Sequence, residues 1–272
     1  MNLSIRDLMN TAADAAYAGG RRTMAYYNNR VDVEIKSDGT PVTLADKQAE
    51  EAILAIIHAR YPGSDIVAEE SGVSGSGNAR LKWIIDPLDG TKTFIAGTPL
   101  YGAMIGVELD GKTVAGAVYF PALDDMVHAG LGEGCYWNGR VARVSEVGDL
   151  SQAMVLTTDW LRATRRSTAF ESIAKQARIA RTWGDCYGHI LVATGRADVM
   201  FDPILNPWDC SPLLPILQEA GGHFVTWRGE PTIWGGDGIS VNARLLKPVL
   251  DHIGTIEGPL PASTPGVLST VV

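Results

Sequence analysis

The chain has few cysteines, and their placement excludes two ways of cross-linking a fold. Only three occur among the 272 residues, at Cys135, Cys186 and Cys210. The number is odd and no Cys-x-x-Cys pair is present, so neither a disulfide framework nor a structural zinc site is indicated. A reducing, cytoplasmic compartment is the simplest expectation for such a chain.

Long apolar runs and an excess of basic charge are also lacking. No stretch approaches the roughly 20 apolar residues that cross a bilayer, and the first ten residues, with Arg6 and Asp7, do not resemble a secretory signal. Lysine and arginine number 23 against 31 acidic residues, a net charge of −8. We therefore expect neither a membrane nor a nucleic acid as a partner. A small anionic substrate stays open, because bound divalent cations reverse the sign of the local field.

The chain has no internal repeat and no low-complexity segment, and its patterning predicts two halves. Residues 1–144 are predicted to form helices on an antiparallel sheet. Ser4 and Thr43 are candidate N-caps, with Asp46 at the capping-box position of the second helix. Asp110-Gly111 is a strong hairpin signal. The predicted strands are 65–68, 83–85, 104–109 and 113–120, and we expect strand 83–85 to end at Asp86.

Residues 145–272 alternate between strand and helix patterns, which is typical of an α/β half. The predicted strands are 154–157, 178–182, 198–201, 223–227 and 239–241, and the predicted helices are 187–193, 209–220 and 243–253. The tail after Gly258 contains several prolines and is predicted to be loose.

The main chemical signal is the hexapeptide at 86–91, Asp-Pro-Leu-Asp-Gly-Thr, at the end of a buried strand. Such a turn can aim the carboxylates of Asp86 and Asp89, and the Leu88 carbonyl between them, at one point. Hard cations such as Mg²⁺ prefer this all-oxygen arrangement. Gly90 lets the backbone approach a ligand, and free amides at Thr91 would suit an anion if a helical turn begins there. Asp-Pro or Asp-Gly alone would be ordinary turn chemistry, but the whole hexapeptide favours a ligand site.

Two further acidic positions have competing interpretations. Glu69 and Glu70 follow an apolar run, where adjacent acids often form only a solvated loop. Asp209 precedes an apolar helix, where it could serve simply as an N-cap. Sequence spacing alone leaves both interpretations open.

Taken together, these motifs resemble those of the inositol monophosphatase family of metal-dependent phosphatases. The matching segments are 68–71 (AEES), 83–91 (WIIDPLDGT), Trp208-Asp209 and 219–222 (EAGG), and the order agrees from about Ser4 to Ile253. The resemblance implies an α/β (α+β) fold, a layered α/β/α/β/α sandwich of the inositol monophosphatase / fructose-1,6-bisphosphatase type. It also implies an active site between the two halves and a homodimer.

The resemblance also implies roles for individual residues, and no family ligand is missing. Two or three Mg²⁺ ions would bind, with lithium sensitivity as a corollary. Thr91 would orient the attacking water with Glu69, Asp46 would hydrogen-bond Thr91, and the amides of Gly90 and Thr91 would hold phosphate oxygens. The metal ligands would be Glu69, Asp86 and the Leu88 carbonyl for one ion, and Asp86, Asp89 and Asp209 for a second.

The implied reaction is hydrolysis of a small phosphate monoester by metal-activated water. The segments 183–189 and 202–209 are most similar to the histidinol-phosphate phosphatase branch of the family. Histidinol phosphate carries an ammonium and an imidazole, which Asp185 and Asp202 could pair with while Asn206 offers hydrogen bonds. Asp185 could instead cap a helix, and Asp202 would also suit a polyol. The alternatives are inositol-1-monophosphatase, a fructose-1,6-bisphosphate or 3′-phosphonucleotide phosphatase, and a non-catalytic metal-binding protein of the same fold.

Overall fold

The computed structural model describes residues 3–37 and 39–257, so the predicted loose tail lies outside the described residues. The helices are α1 Ile5–Thr23, α2 Leu44–Arg60, α3 Thr91–Ile95, α4 Trp160–Arg166, α5 Thr168–Gln176, α6 Asp185–Ala193, α7 Pro207–Cys210, α8 Leu213–Glu219 and α9 Leu246–Glu257, with a 3₁₀ turn at Leu150–Gln152. The strands are β1 Val33–Ile35, β2 Pro41–Thr43, β3 Asp65–Ala68, β4 Gly72–Ser74, β5 Leu81–Asp89, β6 Gly102–Leu109, β7 Lys112–Phe120, β8 Asp125–Gly130, β9 Gly134–Trp137, β10 Arg140–Val141, β11 Met154–Thr157, β12 Ile179–Arg181, β13 Val199–Asp202, β14 Gly222–Val225 and β15 Gly238–Asn242.

These elements stack in the α/β/α/β/α order that the resemblance implies. Helices α1 and α2 cover the outer face of an eight-stranded sheet, ordered β10-β9-β8-β7-β6-β5-β3-β4. Helices α6, α7 and α8 lie between that sheet and a five-stranded sheet, ordered β12-β11-β13-β15-β14. Helices α5 and α9 cover the outer face of the second sheet. No helix in the described part of the chain is long and apolar enough to cross a membrane.

The outer helix pair forms as its sequence predicts. The Ser4 hydroxyl accepts from the amide of Asp7, and Thr43 and Asp46 form a capping box at the start of α2. Small residues let the two helices approach closely, because a Cβ at Gly19 would lie 2.6 Å from the Ile53 side chain. This packing fixes the N-terminus of α2, and with it Asp46, against the first sheet.

Residues 83–85 of strand β5 are all apolar because both faces of the strand are covered there. Trp83 and Ile85 face α1 and α2, whereas Ile84 faces the middle helix layer. The expectation that this strand ends at Asp86 is wrong. Its pairing with β6 continues to Asp89, with a register shift between Asp86 and Asp89. A bulge of this kind re-aims side chains, and here it brings both aspartates to the same edge of the layer.

The first sheet is mixed, whereas the sequence predicted an antiparallel one. Strand β3 pairs with β5 in parallel, with Val67 opposite Ile84. The hairpin prediction at Asp110-Gly111 is confirmed, since both residues have positive φ as a tight β-turn requires. The parallel pair matters for the site, because it places the ends of β3 and β5 side by side.

The second half also departs from the predicted elements, and its helices α4 and α5 were not predicted. The helix predicted over 209–220 is two helices, α7 and α8, separated at Ser211 and Pro212. Pro212 lacks the N–H that would continue the hydrogen-bond ladder. The predicted division at 144/145 falls between the last strand of the first sheet, which ends at Val141, and β11, which begins at Met154. Whether the halves are separate domains stays a prediction.

Candidate active site

A cavity of about 360 Å³ opens between the two sheets. It is lined by the end of β5 and the start of α3 on one side, and by the ends of β11 and β13 with the starts of α6 and α7 on the other. Every residue that the sequence placed in the site lines this cavity except Asp46, which reaches it through Thr91.

Three carboxylates converge at the base of the cavity. Oxygen atoms of Asp86, Asp89 and Asp209 lie within 4.8 Å of one another. Asp86 and Asp89 flank the β5 bulge, where the Leu88 amide donates to Asp86 at 2.9 Å. Asp209 is the third residue of α7 and accepts from the amide of Asn206 at 2.7 Å, so it belongs to a capping box rather than standing as the N-cap itself. The cap and the ligand interpretations of Asp209 are therefore compatible.

Burial and mutual repulsion make this cluster electrostatically unfavourable by itself. Burial, then the charges of Glu69 and Asp89, raise the pKa of Asp86 well above its usual value. Burial, then Asp89, does the same to the pKa of Asp209. Burial, then Asp185, raises the pKa of Asp89 to about 8, although the Cys186 amide donates to its carboxylate at 2.5 Å. Clustered acids of this kind fit divalent cations, and an all-oxygen donor set fits a hard one.

Glu69 lies at the end of β3, beside this cluster but outside the convergent triplet. Its carboxylate accepts from Lys36 at 2.8 Å, and Glu70 accepts from the same ammonium at 2.6 Å. Lys36 stands in the loop between β1 and β2. Burial by itself would lower the pKa of its ammonium, but the charges and hydrogen bonds of Glu69 and Glu70 together raise that pKa. Sequence reasoning gave Lys36 no role, because a lysine beside a turn carries no signal of its distant partners.

Thr91 and Asp46 are in contact. The Thr91 hydroxyl lies 3.3 Å from Asp46 and 3.4 Å from the Leu88 carbonyl, and it has a single proton to share between them. Asp46 also accepts from the amide and hydroxyl of Thr43 at 2.8 and 2.6 Å. Gly90 has φ +85, a conformation that glycine adopts without strain, and its Cβ position would lie 3.1 Å from Asp185. The catalytic roles of these residues stay predictions.

The opposite side of the cavity carries Asp185 and Asp202, joined by Thr158 and Thr93; we call these four residues the acidic wall. Thr158 donates to Asp202 at 2.6 Å and accepts from the Asp185 amide at 2.9 Å, and Thr93 donates to Asp185 at 2.9 Å. Gly184, not Asp185, is the N-cap of α6, so the helix-cap alternative for Asp185 is wrong. Burial raises the pKa of Asp185, while the Thr93 hydrogen bond opposes that shift.

Sequence reasoning missed the two threonines of the acidic wall and Arg162, which also lines the cavity. Thr158 follows β11 and Thr93 belongs to α3. Threonines near strand and helix ends are too common to signal a site. The contact of Thr93 with Asp185 crosses between the two halves, and the contacts of Thr158 join separate segments of the second half. No local pattern encodes either.

Comparison with known proteins agrees with this geometry. The model of the inositol monophosphatase family matches residues 4–254. A histidinol-phosphatase of Chlorobaculum parvum is 40% identical over 90% of this chain and 96% of its own. A fructose-1,6-bisphosphatase/inositol-1-monophosphatase of Aquifex aeolicus is 32% identical over 84% of this chain and 88% of its own. The solved structure of the extragenic suppressor protein suhB of Bartonella henselae superposes with a TM-score of 0.85 at 26% identity, covering 91% of this chain and 98% of that one.

A family match over nearly the whole chain and a relative at 40% identity agree with the layered sandwich and the acidic cavity. The protein is a phosphoric monoester hydrolase with the fold that its sequence predicts. It belongs to the inositol monophosphatase family.

Proposed function

We propose that the protein hydrolyses histidinol phosphate to histidinol and phosphate, with Mg²⁺ as its cofactor, as a step of histidine biosynthesis. The observation that carries this proposal is the acidic wall, which presents Asp185 and Asp202 to the cavity across from the carboxylate triplet. A phosphate at the triplet would leave the rest of the substrate facing two carboxylates. The 40% identity to a histidinol-phosphatase supports the same substrate.

The residues at the base of the cavity would bind the metal ions. Glu69, Asp86, Asp89, Asp209 and the Leu88 carbonyl would hold two or three Mg²⁺ ions. Bound there, these ions supply Lewis-acid activation of water and stabilisation of the leaving oxygen. The donor set fits this role because it is all oxygen and its acids repel one another.

Around the metal ligands, other groups orient the reactants. Thr91, held by Asp46 at 3.3 Å, would position the attacking water together with Glu69. The amides of Gly90 and Thr91 would donate to phosphate oxygens. A fixed set of donors of this kind lowers the barrier because charge develops on those oxygens in the transition state.

The acidic wall would recognise the cationic end of the substrate. Asp202 and Asp185 are joined by hydrogen bonds to Thr158 and Thr93 and are therefore held in place before substrate binds. Asn206 lines the same cavity and offers further hydrogen bonds. A charge-assisted hydrogen bond to an ammonium contributes about 1.5–3 kcal/mol, so each acid would add substantially to specificity.

Inositol 1-phosphate is the second candidate. The hydroxyls of Thr93 and Thr158 stand beside the two acids, and such a set of donors and acceptors also suits a polyol. Fructose 1,6-bisphosphate is favoured only by Arg162 at the cavity lining, which could pair with a second phosphate. A 3′-phosphonucleotide has no such specific support.

Steady-state kinetics would decide between these substrates. We expect kcat/KM in Mg²⁺ to be highest for histidinol phosphate when it is compared with inositol 1-phosphate, fructose 1,6-bisphosphate and adenosine 3′,5′-bisphosphate. Asp185→Asn or Asp202→Asn should lower that value about ten- to a hundredfold, the equivalent of one charged hydrogen bond. Both changes should lower kcat/KM much less for p-nitrophenyl phosphate, which offers no cation to pair with these acids. Efficient hydrolysis of inositol 1-phosphate without histidinol phosphatase activity would decide for the second candidate.

We further infer a cytoplasmic homodimer that is inhibited by lithium, as the family resemblance implies. The three cysteines are free and buried, which suits a reducing compartment. Sedimentation equilibrium would test the dimer, and LiCl titration of the Mg²⁺-activated enzyme would test the inhibition.

A further inference from the structure

His189 lies directly behind the acidic wall, and one of its ring nitrogens has no partner. The residue is 1% exposed on α6, and its Nδ1 lies 2.7 Å from the Ser240 hydroxyl on β15. Its Nε2 is buried without a hydrogen bond in the described structure. The nearest acidic atom is Oδ2 of Asp202 at 3.9 Å, too far for a hydrogen bond. A buried polar atom left in this state is uncommon and calls for an explanation.

The Ser240 hydroxyl on one side and the Asp202 carboxylate on the other together indicate which nitrogen carries the proton. Ser240 is fully buried, and its hydroxyl has one proton to donate. If Nδ1 were protonated, the lone pair of Nε2 would face the Asp202 carboxylate, and two acceptors would oppose each other in a poorly screened interior. If Ser240 donates to Nδ1 instead, the proton lies on Nε2 and the N–H dipole faces the carboxylate. Electrostatics favours the second tautomer.

Asp202 is then supported from two directions. Thr158 donates to its Oδ2 at 2.6 Å from the cavity side, and the N–H of His189 faces the same oxygen from the interior. The carboxylate needs such support, because it is 5% exposed and stands among other acids. Its charge contributes to the raised pKa values of Asp89 and Asp209, which shows how close these groups are.

We propose that His189 is a positioning residue for Asp202: its Nε2–H faces the carboxylate and keeps it oriented toward the cavity, so that the acidic wall selects substrates with a cationic group. The inference rests on the proposed function, since it concerns the residue that recognises the ammonium. His189 itself touches neither the substrate nor the metal ligands. Its effect should therefore appear in selectivity between cationic and neutral substrates rather than in the chemical step.

The test compares two substrates that differ only in an ammonium, 2-aminoethyl phosphate and ethyl phosphate, alongside histidinol phosphate. The measured quantity is the ratio of kcat/KM values, cationic over neutral. His189→Leu should lower that ratio about five- to tenfold, mainly through KM, because it removes the N–H dipole that faces the Asp202 carboxylate in a poorly screened interior. His189→Gln keeps an N–H near the position of Nε2 and should restore most of the ratio. A structural role alone would give no rescue by glutamine.

His128→Leu is the matched control. His128 is another mostly buried histidine with an unpartnered ring nitrogen, but it stacks on Tyr136 in the first sheet, away from the cavity. Its replacement should leave the ratio within twofold of the wild-type value. An equal fall in His128→Leu and His189→Leu would overturn the inference, as would an unchanged ratio in a folded His189→Leu protein.

A second variant and the wild-type preference complete the test. If His189→Leu fails to fold, Ser240→Ala decides the question, because it removes the hydroxyl that fixes the tautomer without adding bulk. We expect the ratio to fall about threefold there, a fraction of one hydrogen bond, and an unchanged ratio would overturn the inference. A wild-type enzyme with no preference for the cationic substrate would overturn the proposed function as well. A wild-type preference that the variants retain would overturn only the role of His189.

Discussion

The carboxylate triplet of Asp86, Asp89 and Asp209 is suited to binding a cation, but it destabilises the fold when no cation is bound. Asp86, Asp89 and Asp209 each have a raised pKa, and burial is the largest cause in every case. An acid that holds its proton more tightly when folded opposes folding once it ionises. A bound divalent cation would reverse that cost, because it lowers the pKa of the acids that coordinate it.

The pH dependence of the metal-free protein follows from these shifts. For Asp89 the cost is absent below its ordinary pKa of 3.8 and grows until pH passes about 8, the folded value. In excess chelator, we therefore expect the free energy of unfolding to fall as pH rises from 5 to about 8. Urea titrations at fixed pH measure it. Adding Mg²⁺ should flatten the profile, and Asp89→Asn should reduce the slope. Stability that rises with pH in chelator would contradict the assignment.

Replacing one ligand should separate activity from stability. Asp89→Asn or Asp209→Asn should lower kcat about a hundredfold, as removal of one strong transition-state electrostatic contact does. The same changes should raise the melting temperature in chelator, because they remove a buried repulsive charge. Asp14→Asn on the exposed surface of α1 is the control, because its ion pair with Arg60 is exposed to solvent and contributes little to stability. Near wild-type kcat for Asp89→Asn at modest Mg²⁺ would show that the ligand assignment is wrong.

At the scale of elements, helix α2 supports the site at two successive turns. Asp46 in its first turn contacts Thr91. Glu50, one turn later and 3% exposed, accepts from the amides of Glu70 and Ser71 at 3.0 and 2.9 Å. These bonds fix the turn after β3 on which Glu69 stands. One helix thereby positions both a predicted metal ligand and a predicted water-orienting residue.

Glu50→Gln should consequently weaken metal activation. A glutamine can accept only one of the two amide bonds with its single oxygen, so the turn carrying Glu69 should loosen. We expect the Mg²⁺ concentration for half-maximal activity to rise about tenfold, as for other groups that orient metal ligands, while kcat at saturating Mg²⁺ falls less. Glu51→Gln, its exposed neighbour on the same helix, should change neither quantity. If the two variants behave identically, Glu50 does not position the turn that carries Glu69.

The elements also show what the sequence could and could not predict. Helix caps at Ser4 and Thr43 and the hairpin at Asp110-Gly111 are local signals, and the structure contains them. The motif at 86–91 located the base of the cavity for the same reason. The extension of β5 to Asp89 and the parallel pairing of β3 with β5 depend on neighbouring strands. Lys36 and Thr158 owe their contacts at the site to distant segments, and so local patterns gave them no role.

At the scale of the whole molecule, the triplet is a contact between layers. Asp86 and Asp89 belong to the first sheet, whereas Asp209 belongs to the middle helix layer. A cation bound by all three would join the two layers. Chelation should therefore abolish activity and lower the melting temperature, and Mg²⁺ should restore both. Ca²⁺, larger and less demanding in geometry, should restore the melting temperature while inhibiting turnover. Full activity after exhaustive chelation would defeat the mechanism.

The separation of those layers is set by glycines of the first sheet that face the segment between α7 and α8. A Cβ at Gly116 on β7 would lie 2.5 Å from backbone atoms of Pro212, and one at Gly106 on β6 would clash with the Ser211 hydroxyl. Backbone cannot yield as a flexible side chain can. Gly116→Ala must therefore push the α7–α8 segment outward, and Asp209 stands on α7.

We expect Gly116→Ala to lower the free energy of unfolding by about 1–3 kcal/mol, the usual cost of overpacking, and to raise the Mg²⁺ concentration needed for half-maximal activity. The second effect is the diagnostic one, because a shift of Asp209 lengthens the distance to Asp86 and Asp89. Gly254→Ala on α9 is the matched control: a Cβ there meets no atom of the described residues within 4 Å, so it should be neutral or stabilise by up to about 1 kcal/mol through helix propensity. A Gly116→Ala protein that loses stability but keeps wild-type Mg²⁺ activation would show that the triplet tolerates movement between the layers.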